Sequence, residues 1–586
     1  MYFLALAADY DGTIAADGVV SDETYAALEA LKKTGRKLLL VTGRGMPSLK
    51  RAFPRLKLFD RVVAENGALL YDPATEQERA IAPPPSAAFV ERLRERGVAP
   101  LSVGHSIVAT WSPHEQTVLE VIHELGLELH IIFNKGAVMV LPSNVNKASG
   151  LCAALDELEL SRLNVVGVGD AENDHAFLKC CGCSAAVANA IPSRAAEVDI
   201  ALPHARGEGV VELARMIAEA DSRIVPPEKH CVLVGSDSSG RKVYLEPHLG
   251  GVLIAGSSGI GKSTLATALT ERMTDKKLQF CVFDPEGDYV TLGHSVTNGD
   301  ASTPPLPEQI LGLLRKLHAN VVVNTQALNL AERPELFAKL LPQVLTLRAR
   351  TGRPHWLLVD EAHHLVGAPR QDVETILPEA IPAAIYITVH PDAMSPAALR
   401  TVEYVLAMGD KASETIATFC NTIGVAAPDC PPHAKDQLLY WSRSSGDPPF
   451  AIDALRPKQA RDRHKRKYAE GHLDDDLAFY FRGAGQKLNL RAHNLMLFVQ
   501  IGEGVDEDTW QFHRKANDYS KWFRSVIKDD ELAAEAEAVE IDKSLDAATS
   551  RERILAAVDR RYTATSEAPR NWREERDHRK ERAGGQ

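Results

Sequence analysis

At 586 residues the chain is long enough for three or four domains of roughly 150 residues each. Its 45% hydrophobic and 25% charged residues are those of ordinary globular protein, and a net charge of −12 argues against a surface that coats DNA broadly. Eight cysteines are too sparse for a disulfide framework and read as reduced thiols, and no apolar run reaches the roughly 18 residues that would span a bilayer, so the expectation is a cytoplasmic protein without membrane contact.

The elements follow in chain order. Tyr2–Ala8 is apolar, but it is too short for a signal peptide and runs straight into Asp9, so it reads as a buried first strand. Lys37–Val41, Arg61–Ala64 and Leu163–Val168 read as further buried parallel strands, and Ser21–Thr34 as an amphipathic helix with Ser21 at its N-cap. This alternation predicts a doubly wound α/β domain over residues 1–222. It is interrupted at about 83–141 by helix-like stretches (Ser86–Arg96, His114–Leu125) and strand-like ones (Ser106–Trp111, His130–Asn134, Ala137–Leu141), which suggests an α+β cap. Residues 223–250 read as a linker and a β-hairpin. A second α/β pattern occupies 251–445, with strands expected at Gly251–Ala255, Leu278–Phe283, Val321–Val323, Trp356–Val359, Ala384–Val389 and Val402–Ala407. Helical patterns dominate 446–562, and the polar tail 563–586 has the composition of a disordered segment.

Two constellations of residues carry chemistry. In the first, Asp9 and Asp11 lie two apart at a strand end, a spacing that would put both carboxylates on one side, and Gly12 permits a tight turn after them. One aspartate there can attack phosphorus and the other can serve as general acid and base. Two carboxylates facing a phosphate need a hard cation, and Mg²⁺ suits oxygen ligands. Asp170 and Asp174 supply further oxygens, so Asp9, Asp11, Asp170 and Asp174 are the candidate metal ligands. Thr42, Gly43, Arg44 and Asn173 are candidates for holding the substrate phosphate, and Lys147 offers a fixed positive charge.

Asp9-Tyr10-Asp11-Gly12-Thr13, Val41-Thr42-Gly43-Arg44, Lys147 within Asn146-Lys147-Ala148-Ser149-Gly150, and Gly169-Asp170-Ala171-Glu172-Asn173-Asp174 resemble the four motifs of the haloacid dehalogenase superfamily. Glu65-Asn66-Gly67-Ala68 and the position of the cap resemble its subclass IIB, the Cof-type and sugar-phosphate phosphatases. The resemblance covers residues 1–220. It implies Asp9 as nucleophile, Asp11 as general acid/base and a fourth-motif aspartate as Mg²⁺ ligand. Phosphoglycolate and sugar phosphates are the substrates it suggests. Cys180, Cys181 and Cys183 lack the second ligand pair a zinc site needs and read as structural thiols.

The second constellation, Gly256-Ser257-Ser258-Gly259-Ile260-Gly261-Lys262-Ser263, follows an apolar strand and precedes the helical Thr264–Met273, the context a phosphate-binding P-loop requires. Gly256, Gly259, Gly261, Lys262, Ser263 and Thr264 would bind ATP, with Ser263 on Mg²⁺. Asp360 would hold Mg²⁺ through water and Glu361 would polarise the attacking water. Asp360-Glu361-Ala362-His363-His364-Leu365, with Phe283-Asp284-Pro285-Glu286-Gly287-Asp288-Tyr289, resembles the HerA/FtsK-like ATPases over about 230–425. By that resemblance Thr388-Val389-His390 sits where a γ-phosphate sensor lies and a homo-oligomer is the usual assembly; Arg348, Arg350 and Arg353 are candidate finger arginines for a neighbouring subunit or, as readily, solvent-exposed residues.

In the C-terminal region Arg456–Lys467 holds seven Lys/Arg against Asp462. It reads first as a solvated helix face and second as a phosphate or nucleic-acid contact. Most aromatics between Phe479 and Phe523 read as core, although 509–523 could also form a recognition surface. Taken together, the sequence favours a Mg²⁺-dependent phosphatase of a small phosphorylated metabolite fused to an ATPase that gates or senses it. A nucleic-acid motor with an accessory phosphatase is the alternative, and an ATP-switched signalling module the third reading.

Overall fold

The structure is a computed structural model that describes residues 1–562 except 135, 192–196, 248, 258–259, 368–380, 382, 459–472, 474–476 and 528. Gly259, most of the basic run Arg456–Lys467 and the tail 563–586 therefore lie outside the described residues. Residues 1–458 form one compact unit and those from 459 onward a second.

The first layer of unit 1 is an eight-stranded sheet, in spatial order Ile200–Ala201, Cys183–Ala186, Val165–Gly169, Ala5–Asp9, Lys37–Val41, Arg61–Ala64, Leu69–Asp72 and Gln77–Ala80. The first six strands run parallel, and the last two form an antiparallel edge hairpin. The central strands are buried on both faces, which is why they read as unbroken apolar runs. The helix Asp22–Lys33 covers one face, its first turn capped by Ser21 Oγ, which accepts from Thr24 N (3.1 Å). The cap is a separate four-stranded antiparallel sheet, Ser102–Val103, Val108–Trp111, Ala137–Pro142 and Leu129–Asn134, packed on the helices Ala87–Glu95 and Glu115–Glu124.

The second layer is an eleven-stranded mixed sheet. Its parallel part runs Val402–Met408, Gly251–Gly256, Ala384–Thr388, Trp356–Val359, Phe280–Asp284, Asn320–Asn324 and Ser295–Asn298. The hairpin Val232–Asp237/Lys242–Leu245 and the strands Leu438–Ser442 and Phe450–Ala454 extend it antiparallel. Because Phe450–Ala454 pairs with Leu438–Ser442 inside this sheet, the expected start of the helical region at 446 falls within a sheet connection instead.

The two layers meet where the helix Glu332–Thr351 ends at Gly352 (φ 76°) and the chain turns back onto residues 159–164. Ser161 N donates to Thr351 O (3.1 Å), Arg350 pairs with Glu159, and Arg353 Nη2 donates to Glu159 O (3.0 Å). Arg348 is half-buried, its Nε donating to Pro354 O (2.8 Å). The three arginines read as finger candidates are thus committed to this junction or the core behind it, a correction that charge spacing alone could not provide.

Also at the junction, His355 Nδ1 accepts from Gln279 N (2.9 Å), which leaves Nε2–H to donate to Ser161 Oγ (3.1 Å). Burial, then Arg353 and Arg348, push its pKa down to about 3. The unfolded chain takes up a proton near pH 6.5 that the folded chain refuses, so this contribution is complete above that value and fades as pH falls toward 3. His355→Asn should remove a slope of about 1.4 kcal/mol per pH unit from the stability of this unit between pH 6 and 4, read by urea unfolding. An unchanged slope would contradict a neutral His355.

In unit 2 the hairpin Phe479–Phe481/Leu490–Ala492 leads into the helices Leu495–Gly504, Glu507–Lys515, Asp518–Trp522, Asp530–Ile541 and Ala547–Tyr562. Phe479, Phe481, Phe498, Trp510, Tyr519 and Trp522 share one core, with the rings of Trp510 and Tyr519 stacked at 4.4 Å. The aromatics of 509–523 therefore face inward, Phe512 excepted, and build packing rather than a recognition surface. No helix among the described residues is long and apolar enough to cross a membrane.

Candidate functional sites

Asp9 ends the strand Ala5–Asp9, Thr42 follows its neighbour Lys37–Val41, and Asp170 follows Val165–Gly169 on the other side. Three adjacent parallel strands thus deliver three polar side chains to one sheet edge, the carboxyl end where α/β sheets bind ligands. Asp174 joins them across the turn after Asp170, its Oδ2 accepting from the N–H groups of Asp170 (3.0 Å) and Ala171 (2.9 Å). Asp9, Asp170 and Asp174 are all buried, and each offers an oxygen within 4.8 Å of the others. Lys147, first residue of the helix Lys147–Glu157, is positioned by Asn146, whose side chain accepts from Ala148 N and Ser149 N. Its Nζ lies 2.6 Å from both Asp9 Oδ1 and Asp174 Oδ1.

Burial, then the Asp174 carboxylate, raise the Asp9 pKa to about 7 although Lys147 opposes them. Burial alone would lower the Lys147 pKa, but Asp174 and Asp9 outweigh it and hold the ammonium charged. Three buried carboxylates against one ammonium leave a net negative site of oxygen donors, which fits a divalent hard cation such as Mg²⁺. Lys147→Met should destabilise unit 1 by about 3–5 kcal/mol without Mg²⁺, because it leaves two buried carboxylates unpaired. Added Mg²⁺ should restore part of that loss in thermal unfolding; full stability without the cation would contradict this pairing.

Two neighbours not singled out as site residues complete the edge. Thr13 Oγ1 lies 3.3 Å from both Asp9 Oδ2 and Asp170 Oδ1. Asn189 Nδ2 donates to Gly12 O (2.9 Å) and Asp170 Oδ2 (3.4 Å). Gly12 itself is at φ 87°, and a Cβ there would run into the Asp170 carboxylate.

Asp11 is placed differently from expectation. The strand ends at Asp9 and the chain turns at once, so the two-residue repeat no longer applies, and Asp11 is not in the carboxylate group. Arg44 grips it in a two-pronged pair instead, Nε to Oδ2 and Nη2 to Oδ1, both 2.6 Å. Arg44 N donates to Thr42 Oγ1 (3.1 Å), so Thr42, Gly43 and Arg44 form one tight turn at the rim. Asn173 Nδ2 donates to Asn66 Oδ1 (3.0 Å), while its own Oδ1 is buried without a partner among the described residues. Glu65, at φ 52°, ties this turn to the cap by accepting from His105 N and Ser106 N, both 3.0 Å. Sequence reading gave Glu65 no role; its signal is a buried acid beside Asn66-Gly67. Cys183 lies inside a strand, and the Cys180 and Cys181 thiols both donate to Phe177 O.

The second site is built on the strand Gly251–Gly256 and the helix Lys262–Asp275, which starts from Gly261 at φ 105°. Lys262 Nζ donates to Gly256 O and Ser257 O, both 3.0 Å, at the mouth of the loop. Ser263 and Thr264 follow in the first helical turn, and a helix N-terminus favours anions. Strand Ala384–Thr388 lies between this strand and Trp356–Val359, which delivers Asp360. Burial, then Glu361, Asp288 and Asp284, raise the Asp360 pKa to about 8. Asp284 organises its own turn, accepting from Asp288 N (2.9 Å) and Tyr289 N (2.7 Å). Glu361 adopts left-handed φ 43° and opens the short helix Ala362–Leu365. His363, which sequence reading left unassigned, has its Nδ1 3.1 Å from Thr388 Oγ1 and 3.5 Å from Glu361, and its ring meets His390 edge-on at 5.6 Å.

Comparison with known proteins divides the chain in the same way. The haloacid dehalogenase-like hydrolases match over residues 6–113 and 115–213, and the central domain of the helicase HerA over 240–351. Phosphoglycolate phosphatase of Methanothermobacter thermautotrophicus is 30% identical over 220 residues, 36% of this chain and 97% of that protein. That of Haloarcula marismortui is 30% identical over 209 residues, covering 33% of this chain and 92% of its own. A haloacid dehalogenase-like hydrolase from Bacteroides thetaiotaomicron aligns with a TM-score of 0.33 at 16% identity, over 37% of this chain and 99% of its own.

Proposed function

Since the chain belongs to the haloacid dehalogenase-like hydrolases and continues into a HerA-type domain, we propose that it hydrolyses a small phosphorylated metabolite at Asp9 and that its ATPase domain regulates this turnover. The buried set of Asp9, Lys147, Asp170 and Asp174 at the ends of adjacent strands is the observation that carries this reading. Phosphoglycolate is the first substrate to try, because the similar archaeal proteins bear that name.

Mg²⁺, held by Asp9, Asp170 and Asp174, supplies charge neutralisation of the phosphate when bound. The Asp9 carboxylate attacks phosphorus, and the bond from phosphorus to the ester oxygen breaks. Lys147 steers and holds the Asp9 carboxylate, its Nζ 2.6 Å away. Asp11 gives a proton to the leaving oxygen, then takes one from the water that attacks the aspartyl-phosphate, which returns Asp9 and inorganic phosphate. In this structure Arg44 holds both Asp11 oxygens; a substrate phosphate that draws Arg44 toward itself, with Thr42 and Gly43, would free Asp11 for this exchange.

In the second domain Lys262, Ser263, Thr264, Gly256 and Gly261 would hold ATP, with Mg²⁺ at Ser263 and Asp360. Glu361 would orient the attacking water, and His363 would link it to Thr388 and His390 beside it. The test is product formation from a panel of phosphorylated metabolites by the full chain with Mg²⁺, with and without ATP, beside Lys262→Ala. Turnover altered by ATP only when Lys262 is present supports the reading; turnover indifferent to ATP removes the regulatory part. The HerA match favours one second reading, a nucleic-acid motor, whose signature would be ATP hydrolysis that rises on adding DNA while no metabolite turns over.

A further inference from the structure

The junction between the two layers of unit 1 holds a cavity of about 330 Å³ that is open to solvent. Both domains line it: Arg162 and Lys179 come from the phosphatase side, and Lys277, His318 and Arg353 from the ATPase side. Among the described residues that line it there is no aspartate or glutamate. Arg353 is 3% exposed; its Nη2 is used by Glu159 O, but Nε and Nη1 have no partner among the described residues. Leaving such donors buried and unpaired costs about 1–3 kcal/mol each, so their presence calls for an acceptor. The nearest carboxylates do not provide it. Glu159 is paired with Arg350, and Asp156 acts on Arg353 and His318 without lining the cavity. Burial, then Arg162, Lys277 and Arg353, hold the His318 pKa down, as a surplus of positive charge requires.

We propose that this cavity is a binding site for a small polyphosphate-bearing anion, with Arg353 as its buried anchor and Arg162, Lys179 and Lys277 neutralising the remaining charge. A guanidinium fork suits phosphate oxygens, and the volume lies at the lower end of ligand pockets, roughly 300–1,000 Å³. The site is separate from both phosphate-handling centres and lies at the opposite ends of the strands that carry them, with a helix and a strand leading from it toward each. Lys179 lies on the helix His175–Cys180, which starts directly after Asp174, and Gln279 in the cavity wall directly precedes the strand Phe280–Asp284. An anion there would therefore bridge the phosphatase and the ATPase.

Hydrogen–deuterium exchange on the full chain, titrated with sodium tripolyphosphate in EDTA, tests this in a Lys262→Ala background that weakens competition from the P-loop. Exchange should slow at 159–163, 277–280, 316–319 and 351–355. The half-saturating concentration should rise about tenfold or more in Arg162→Gln and in Lys277→Asn, each removing one phosphate contact. Lys277 is exposed at φ 59°, a conformation asparagine tolerates, so loss of fold cannot imitate the effect. Arg353→Gln should abolish the protection. Protection confined to residues near Asp9 or to 256–264, or half-saturation unmoved in Arg162→Gln and Lys277→Asn, would overturn the site.

Discussion

Asp9→Asn should lower phosphate release from the preferred phosphomonoester on the order of 10³-fold or more while ATP binding persists. The amide keeps the shape of the side chain and can still accept a hydrogen bond from Lys147, but it is a poor nucleophile toward phosphorus. Asp9 is 3% exposed and sits in a sheet edge fixed by pairing on both sides, so no nearby acid can take over its position. Asp174 is committed to Lys147 and two backbone N–H groups, and Asp170 to Thr13 and Asn189. The substitution also removes one negative charge from an overloaded cluster, so the variant should unfold at a temperature no lower than the parent in EDTA. Lost turnover with retained stability separates a chemical role from a structural one. Turnover within a few fold of the parent would reject Asp9 as the attacking group.

Glu361→Gln should slow ATP hydrolysis about 10²- to 10³-fold and leave ATP bound. Glu361 follows the strand Trp356–Val359 in a left-handed conformation, which turns it away from the path a continuing strand would give it. Neighbouring Asp360 has its Oδ1 engaged by Glu361 N (2.9 Å), and its raised pKa marks a carboxylate that needs a cation to stay charged. The two adjacent acids therefore have separate tasks, and only the loss at Glu361 should leave nucleotide affinity intact. Equilibrium binding of a fluorescent ATP analogue beside single-turnover hydrolysis distinguishes them. Unchanged hydrolysis would remove Glu361 from the reaction.

The buried parallel strands were legible because burial on both faces writes itself as short apolar runs ended by Asp or Gly. Edge strands were not. Gln77–Ala80 is exposed at every residue, and Ser295–Asn298 is polar, so neither stands out from a loop. The Asp9–Lys147–Asp174 contact spans residues far apart in sequence, and motif resemblance rather than periodicity brought them together. Asp11 was misplaced because strand geometry was extended two residues past the last paired one. Arg348, Arg350 and Arg353 show a further limit, since an arginine cluster looks the same in sequence whether it meets solvent, a neighbouring subunit or its own fold. His363 escaped notice because its partner Thr388 lies on another strand.

The central claim is that Asp9 carries the phosphoryl group. Acid-quenching the full chain during turnover of phosphoglycolate with Mg²⁺, followed by peptide mass mapping, tests it most directly. The account predicts one hydroxylamine-labile phosphoryl group on the peptide containing Asp9, absent from Asp9→Asn. Phosphate release at full rate with that peptide unmodified in every quench, and persisting in Asp9→Asn, would contradict it.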